Sequence, residues 1–387
     1  MNLDSYRGRI LDADAHLQLP LRVYPEMLGP AGETIYKGFA KMLGGNAAEM
    51  LTHFDPDDEE PHSDTNIWRV KGAAAPGATT AEGRIKTLDM MGIDRQLNFP
   101  QVLVCFAVWG GGPRADRIDA MRRYNDYAIE WSRASKGRVR SVGVLIVDDL
   151  AEACSEAERI VEAGIESVFL PEGTPIGGLS PAHPDVDPFW KILSERDVPA
   201  LLHIGGGIRY TQEKVWGQTP LLSSGGVGAG ETVNPHMLST VHQAAENYVI
   251  ALTLGGVFQR VPNLRFGAIE LGATWVGPMA ERMDMICDMR MGKDIRAFDL
   301  RPSEFLARNF RATPFINEDI GKMMERHPNL EDVYCFSTDF PHPEGGTNPL
   351  GVMSESVERL GAATLEKFLV TNSELLMPAC GGANLLP

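Results

Sequence analysis

No run of about 18 apolar residues occurs in this sequence, so it offers no segment able to cross a bilayer as a helix. The first residues lack a basic-then-apolar pattern, so no secretory signal is expected. Cysteine is sparse: five residues, odd in number, scattered and without a Cys-x-x-Cys pair. That excludes a disulfide framework or a thiolate zinc site, and predicts reduced thiols in a cytoplasmic protein. Positive charge is also short. A formal net charge of −16 argues against a nucleic-acid surface, which needs a basic patch. No Gly-x-Ser-x-Gly supports a serine nucleophile. The glycine clusters Gly110-Gly111-Gly112 and Gly205-Gly206-Gly207 fit no dinucleotide fingerprint.

What is present is alternation. Short apolar runs alternate with amphipathic helical patterns, as βα units around a parallel sheet require. Strands are expected at 10–14, 95–100, 139–146, 167–170, 200–204, 266–270, a weak one at 309–313, and 333–338. Helical patterns lie between them at 116–135, 150–163, 188–195 and 237–252. Close to eight repeats predicts a (β/α)8 barrel, with residues 1–387 forming one domain. Two insertions interrupt it. Residues 20–80 carry the polar run from Asp55 to Pro61, expected as a loop. Residues 205–234, rich in Gly and Ser, follow the fifth strand and are expected as a lid over the barrel mouth.

The carboxyl ends of parallel barrel strands converge on one face. The polar residues at those ends are Asp14 and His16, Glu172, His203, Glu270 and Asp339. Asp14 and His16 are two apart on a strand and share a face. Two imidazoles with several carboxylates form a coherent divalent-metal site, harder than an all-histidine one, suited to Fe or Mn and open to Zn. Asp12 shares the Asp14 face but lies deeper, which predicts a buried hydrogen-bonding role. His342, just past Asp339, is expected to face substrate or support the centre. Arg209 and Tyr210 follow His203 closely and suit a substrate carboxylate or carbonyl, or a solvated loop. Trp109 and Trp216 fit either an apolar substrate wall or ordinary packing. The remaining histidines, His242 among them, fall away from strand ends.

The chain resembles the amidohydrolase superfamily, in the amidohydrolase-related branch that includes aminocarboxymuconate-semialdehyde and resorcylate-type decarboxylases. The resemblance spans most of the sequence. It rests on Asp12-Ala13-Asp14-Ala15-His16, on Ile93-Asp94 with Phe99-Pro100, and on Val198-Pro199-Ala200-Leu201-Leu202-His203. It continues through 255–265, Glu270-Leu271-Gly272-Ala273-Thr274-Trp275, and Ser337-Thr338-Asp339-Phe340-Pro341-His342. It implies a catalytic metal at the barrel mouth, held by Asp14, His16, His203 and Asp339, and a homodimer.

Two departures stand out. The usual first-strand motif is His-x-His or Glu-x-His; here it is Asp14-x-His16. The decarboxylases place a histidine after the sixth strand, where this chain has Glu270. Two-metal relatives place a bridging carboxylate after the fourth strand, and Glu172 is either that bridge or a turn residue. These departures favour metal-dependent hydrolysis of an acyl bond (amide, lactone, ester or thioester) in a small molecule, with Asp339 shuttling the proton. The alternatives are non-oxidative decarboxylation of an aromatic or unsaturated carboxylic acid, and a degenerate barrel that only binds a ligand.

Overall fold

The computed structural model describes residues 3–43, 56–206, 213–217, 219–222, 235–289 and 297–378. Its strands are β1 (Ile10–Asp12), β2 (Ile93–Asn98), β3 (Val139–Ser141), β4 (Gly143–Val144), β5 (Val168–Phe169), β6 (Ala200–His203), β7 (Phe266–Ile269) and β8 (Phe310–Ala312). All are short; β5, β6 and β7 are largely apolar, whereas β2 (IDRQLN) and β3 (VRS) carry polar side chains. Every residue of β6 and β7 is buried, as expected for parallel strands covered on both faces. Pairing is parallel throughout, in the orders β1-β2-β3 and β4-β5-β6-β7-β8.

The two sheets are joined at both edges. β3 and β4 are one run interrupted at Val142, whose N–H donates to Asn98 O while Gly143 N–H donates to Ser167 O. At the other edge, residues 334–340 lie between β8 and β1. Cys335 N–H donates to Ala312 O (3.0 Å), and Ala13 N–H donates to Phe336 O (3.0 Å). Parallel bridges join Ala312 to Tyr334 and Ala15 to Phe340. This closing segment completes a barrel, and the segment expected at 309–313 is a true strand.

Helices pack outside. Leu150–Glu162 begins where the Asp149 carboxylate accepts from Glu152 N–H, a helix N-cap. It turns Ala153, Ala157, Ile160 and Val161 inward, each aliphatic larger than alanine contributing roughly 1.5–3 kcal/mol when fully buried. The helix expected over 237–252 is instead two, Pro235–Thr240 and Gln243–Leu254, broken at Val241 and His242. The first insertion is not all loop. It carries a helix at Tyr24–Leu43, with a non-helical Gly29 (φ 61°) inside it. The described part of the acidic run, from Pro56, is irregular; Glu59 in it accepts from the N–H groups of Gly77 and Thr79. The insertion crosses to the closing segment, where Gly72 N–H donates to Pro341 O. Most of 205–234 lies outside the described residues; a short helix, Glu213–Trp216, belongs to it. Among the described residues, no helix is long and apolar enough to cross a membrane.

Candidate metal centre

The carboxyl ends of β1, β6, β7 and the closing segment deliver six side chains to one place. Asp14, His16, His203 and Glu270 form one group whose ligating atoms all lie within 4.8 Å of one another. His16, Glu270, Asp339 and His342 form a second, sharing two members with the first. The backbone is bent to allow this. Glu270 (φ 55°) and Asp339 (φ 52°) occupy the left-handed region, which costs an L-residue roughly 1–3 kcal/mol and clusters at functional sites. Each bend is pinned: Glu270 N–H donates to Thr313 Oγ1 (2.8 Å) and Asp339 N–H to Asp14 O (2.9 Å).

His203 Nε2 lies 3.0 Å from Glu270 Oε2 and 3.3 Å from Asp14 Oδ1. His16 Nε2 lies 3.2 Å from Asp339, 3.6 Å from Glu270 and 3.7 Å from Asp14. His342 stacks on His16 with ring centres 3.7 Å apart, and its Nδ1 is 3.2 Å from Asp339 Oδ1. All six are buried or nearly so. Yet both ring nitrogens of His16, Oε2 of Glu270, both oxygens of Asp339 and Nδ1 of His342 lack a hydrogen bond of good geometry. Buried polar atoms seldom go unsatisfied, and together these point at one small volume. Imidazole nitrogens and carboxylate oxygens in this mix suit a divalent cation such as Mn, Fe or Zn.

For Asp14, Glu270, His203 and His342, burial and charged neighbours act together. Burial raises the Asp14 carboxyl against the pull of His203, and the charges of Glu270 and Asp339 add to the rise. Burial works on Glu270 the same way, but His16 and His203 overcome it and hold that carboxyl well below its usual range. For His203 burial disfavours the charge, and Asp14 with Glu270 outweigh it, raising the imidazole well above its ordinary value. Burial disfavours the charge on His342 too, but Asp339, Glu344 and Glu270 together outweigh it and raise the imidazole to about 10. A divalent cation would take over from these ring protons and release them.

Beneath the cluster lies a polar frame that sequence reading missed, apart from Asp12. The Asp12 carboxylate accepts from Gln96 Nε2 (2.7 Å), Thr338 N–H (2.8 Å), Thr338 Oγ1 (2.5 Å) and Asp14 N–H (3.2 Å). Burial pushes its pKa up to about 7, and those donors oppose the rise. Arg84 is fully buried behind it. Gln18 was also missed; its Oε1 lies 3.3 Å from His342 Nε2. It stands two residues past His16, a spacing that could have flagged it. Lys71, from the insertion, donates to Gly346 O and feels the charge of Asp339.

The other residues are placed as follows. Among the described residues, Glu172 belongs to neither ligand group. It lies against Gly206, where a Cβ would come within 2.8 Å of its Oε2. Trp109 donates to Leu145 O and packs on Phe169 at 4.8 Å; Phe169 and Phe99 in turn pack on His203, at 5.6 and 4.3 Å. Arg209 and Tyr210 lie outside the described residues. Trp216 is 69% exposed. His242 stacks on Trp275, and His62 meets Gly83 O and Thr87 Oγ1.

A closed parallel barrel whose strand ends gather histidines and carboxylates defines a class of metal-assisted enzymes. A profile of the amidohydrolase family matches residues 13–377, and the chain belongs to that family. No curated protein matches it in sequence. Among solved structures it is similar to the amidohydrolase map2389c from Mycobacterium avium subsp. paratuberculosis K-10, at 18% identity and a TM-score of 0.67, covering 95% of this chain and 99% of that one. It is similar to a dihydroxybenzoic acid decarboxylase from Polaromonas sp. JS666 with bound manganese and 2-nitroresorcinol, at 16% identity and 0.65, covering 98% and 99%. A 2,6-dihydroxybenzoate decarboxylase from Rhizobium matches at 19% identity and 0.64, covering 96% and 99%.

Proposed function

We propose that this chain is a metal-dependent carboxy-lyase acting on a small aromatic or unsaturated carboxylic acid. The observation that carries the reading is a pair of ligand groups that overlap at His16 and Glu270, too close-set to need a bridge, with Glu172 in neither. The expectation of hydrolysis rested on Glu270 in place of the decarboxylases' histidine and on carboxylates around a metal pair, for which Glu172 was a candidate bridge. With Glu172 outside the ligand groups, a lone centre beside the edge-to-face aromatic cluster of Phe99, Phe169 and Trp109 suits a planar acid better. The manganese-bound and dihydroxybenzoate-processing structures of the same fold support the choice.

Asp14, His16, His203, Glu270 and Asp339 would hold the ion. Bound there, it supplies positive charge that orients the substrate carboxylate and an adjacent oxygen. The remaining work falls to the chain. Arg209 and Tyr210 are assigned to the substrate's polar groups, and Trp109 to its ring. The bond from the ring or alkene carbon to the carboxylate carbon breaks, carbon dioxide leaves, and the electron pair stays on the substrate carbon. Asp339, with His342 at 3.2 Å, passes a proton to that carbon.

One observation favours the hydrolytic reading: Glu270 is kept ionised where the decarboxylase pattern has a histidine. The two reactions separate cleanly. With a panel of hydroxylated benzoic acids in deuterated water and manganese, decarboxylation releases carbon dioxide and puts deuterium on carbon. With esters and lactones in oxygen-18 water, hydrolysis puts label in the acid product. Acid labelling without carbon dioxide release would overturn the proposal.

A further inference from the structure

Arg84 sits in the helix Ala81–Met91, and none of its surface reaches solvent. A buried guanidinium is costly unless its donors are met. Here Nε donates to Gly77 O (2.7 Å), Nη1 to Gln96 Oε1 (2.9 Å) and Asn98 Oδ1 (3.3 Å), and Nη2 to His16 O (2.8 Å). The plane also lies over the Phe340 ring at 4.8 Å. Gly77 permits the first contact. It has φ +78°, and a Cβ there would meet Gly83 O and Thr87 Oγ1 at 2.6 Å.

The partners form a chain of bonds. Arg84 holds the oxygen of the Gln96 amide, and the nitrogen of that amide donates to Asp12. Asp12 in turn accepts from Thr338 and from Asp14 N–H. A rigid guanidinium fork reaches these separated acceptors from three nitrogens at once, whereas an ammonium's donors all radiate from one atom. One arm fixes the backbone of His16; the other, through Gln96 and Asp12, fixes the segment carrying Asp14 and the segment carrying Asp339.

We propose that Arg84 is a positioning residue for the metal centre, setting the spacing between the β1 ligands Asp14 and His16 and the closing-segment ligand Asp339. The inference rests on the metal-centre part of the proposed function and is independent of which reaction follows. Groups behind metal ligands typically alter affinity about 10- to 100-fold when removed. Arg84→Lys keeps the charge and loses the fork. Gln96→Met keeps Arg84 and its bonds to Gly77 and His16 but cuts the link to Asp12, so it carries the test if Arg84→Lys does not fold.

Manganese alone is titrated calorimetrically into metal-stripped wild type and both variants, with thermal midpoints measured alongside. The expected result is a dissociation constant raised about 10- to 100-fold in Arg84→Lys and less in Gln96→Met. Wild-type affinity in a folded variant with a lowered midpoint would make Arg84 a fold staple only and overturn the inference. Wild type taking up no manganese would instead overturn the metal-centre reading, and this inference with it.

Discussion

The two flanks of the centre are built on different physics. On the β1 and closing-segment side, Asp14, His16 and Asp339 are held by directional bonds: His16 N–H to Phe340 O, Asp339 N–H to Asp14 O, and the Asp12 frame below. Around β6, His203 sits in aromatic packing, with Phe169 of β5 and Phe99 from just past β2 against its ring and its Nδ1 toward Ile204 O. Hydrogen bonds fail abruptly when one partner is lost, whereas packing gives way by degree. The polar flank should therefore control metal geometry, and the aromatic flank should control stability and substrate fit.

The largest expected effect is on the polar flank. His16→Ala should weaken manganese binding by more than the roughly 100-fold expected of outer partners, read by calorimetric titration. Asp339→Asn should lower turnover by about 10²- to 10⁴-fold, the usual worth of a positioned proton carrier, while part of the metal affinity survives. If His16→Ala kept wild-type affinity, the comparison would break at its strongest point.

Next comes the aromatic flank. Phe169→Ala should cost about 3–5 kcal/mol in denaturant unfolding, yet move manganese affinity of the folded fraction less than tenfold. A large loss of affinity with little loss of stability would reverse the assignment of the two flanks.

A smaller effect comes from His342. Its folded pKa of about 10 lies above the ordinary 6.5, because burial is outweighed by Asp339 together with Glu344 and Glu270. A raised base stabilises the metal-stripped chain fully below about pH 6.5 and loses that contribution as pH climbs through about 10. Stability of the stripped chain should fall over that window, and His342→Gln should flatten the fall. An unchanged slope in the variant would remove Asp339 as its partner. The smallest effect is expected of Glu172→Gln, which should leave manganese uptake unchanged; a halved uptake would restore the bridge.

The barrel was legible in the sequence because most of its strands lie in short apolar runs that end in polar residues, as at 200–203 and 266–270. Even the weak run at 309–313 became β8, since Phe310 and Ala312 are fully buried. Asp14, His16, His203, Glu270 and Asp339 stood out because each ends such a run, and the structure brings them together. Arg84 did not stand out. It lies among Glu82, Lys86 and other polar residues of a helix with no clear stripe, and its partners at 16, 77, 96 and 98 meet only once the strands pair. The break at Val241 and His242 was likewise silent, with no proline or glycine to mark it. Glu172 read as either a bridge or a turn residue because it follows a strand; its closeness to Gly206 is a contact that no local pattern encodes.

The central claim is a single divalent metal centre serving a carboxy-lyase. Its most direct test is the number of manganese ions retained per chain after saturation and gel filtration, measured by elemental analysis. The account predicts one. Two ions per chain would contradict it and favour the bridged, hydrolytic centre; none would remove the metal centre altogether.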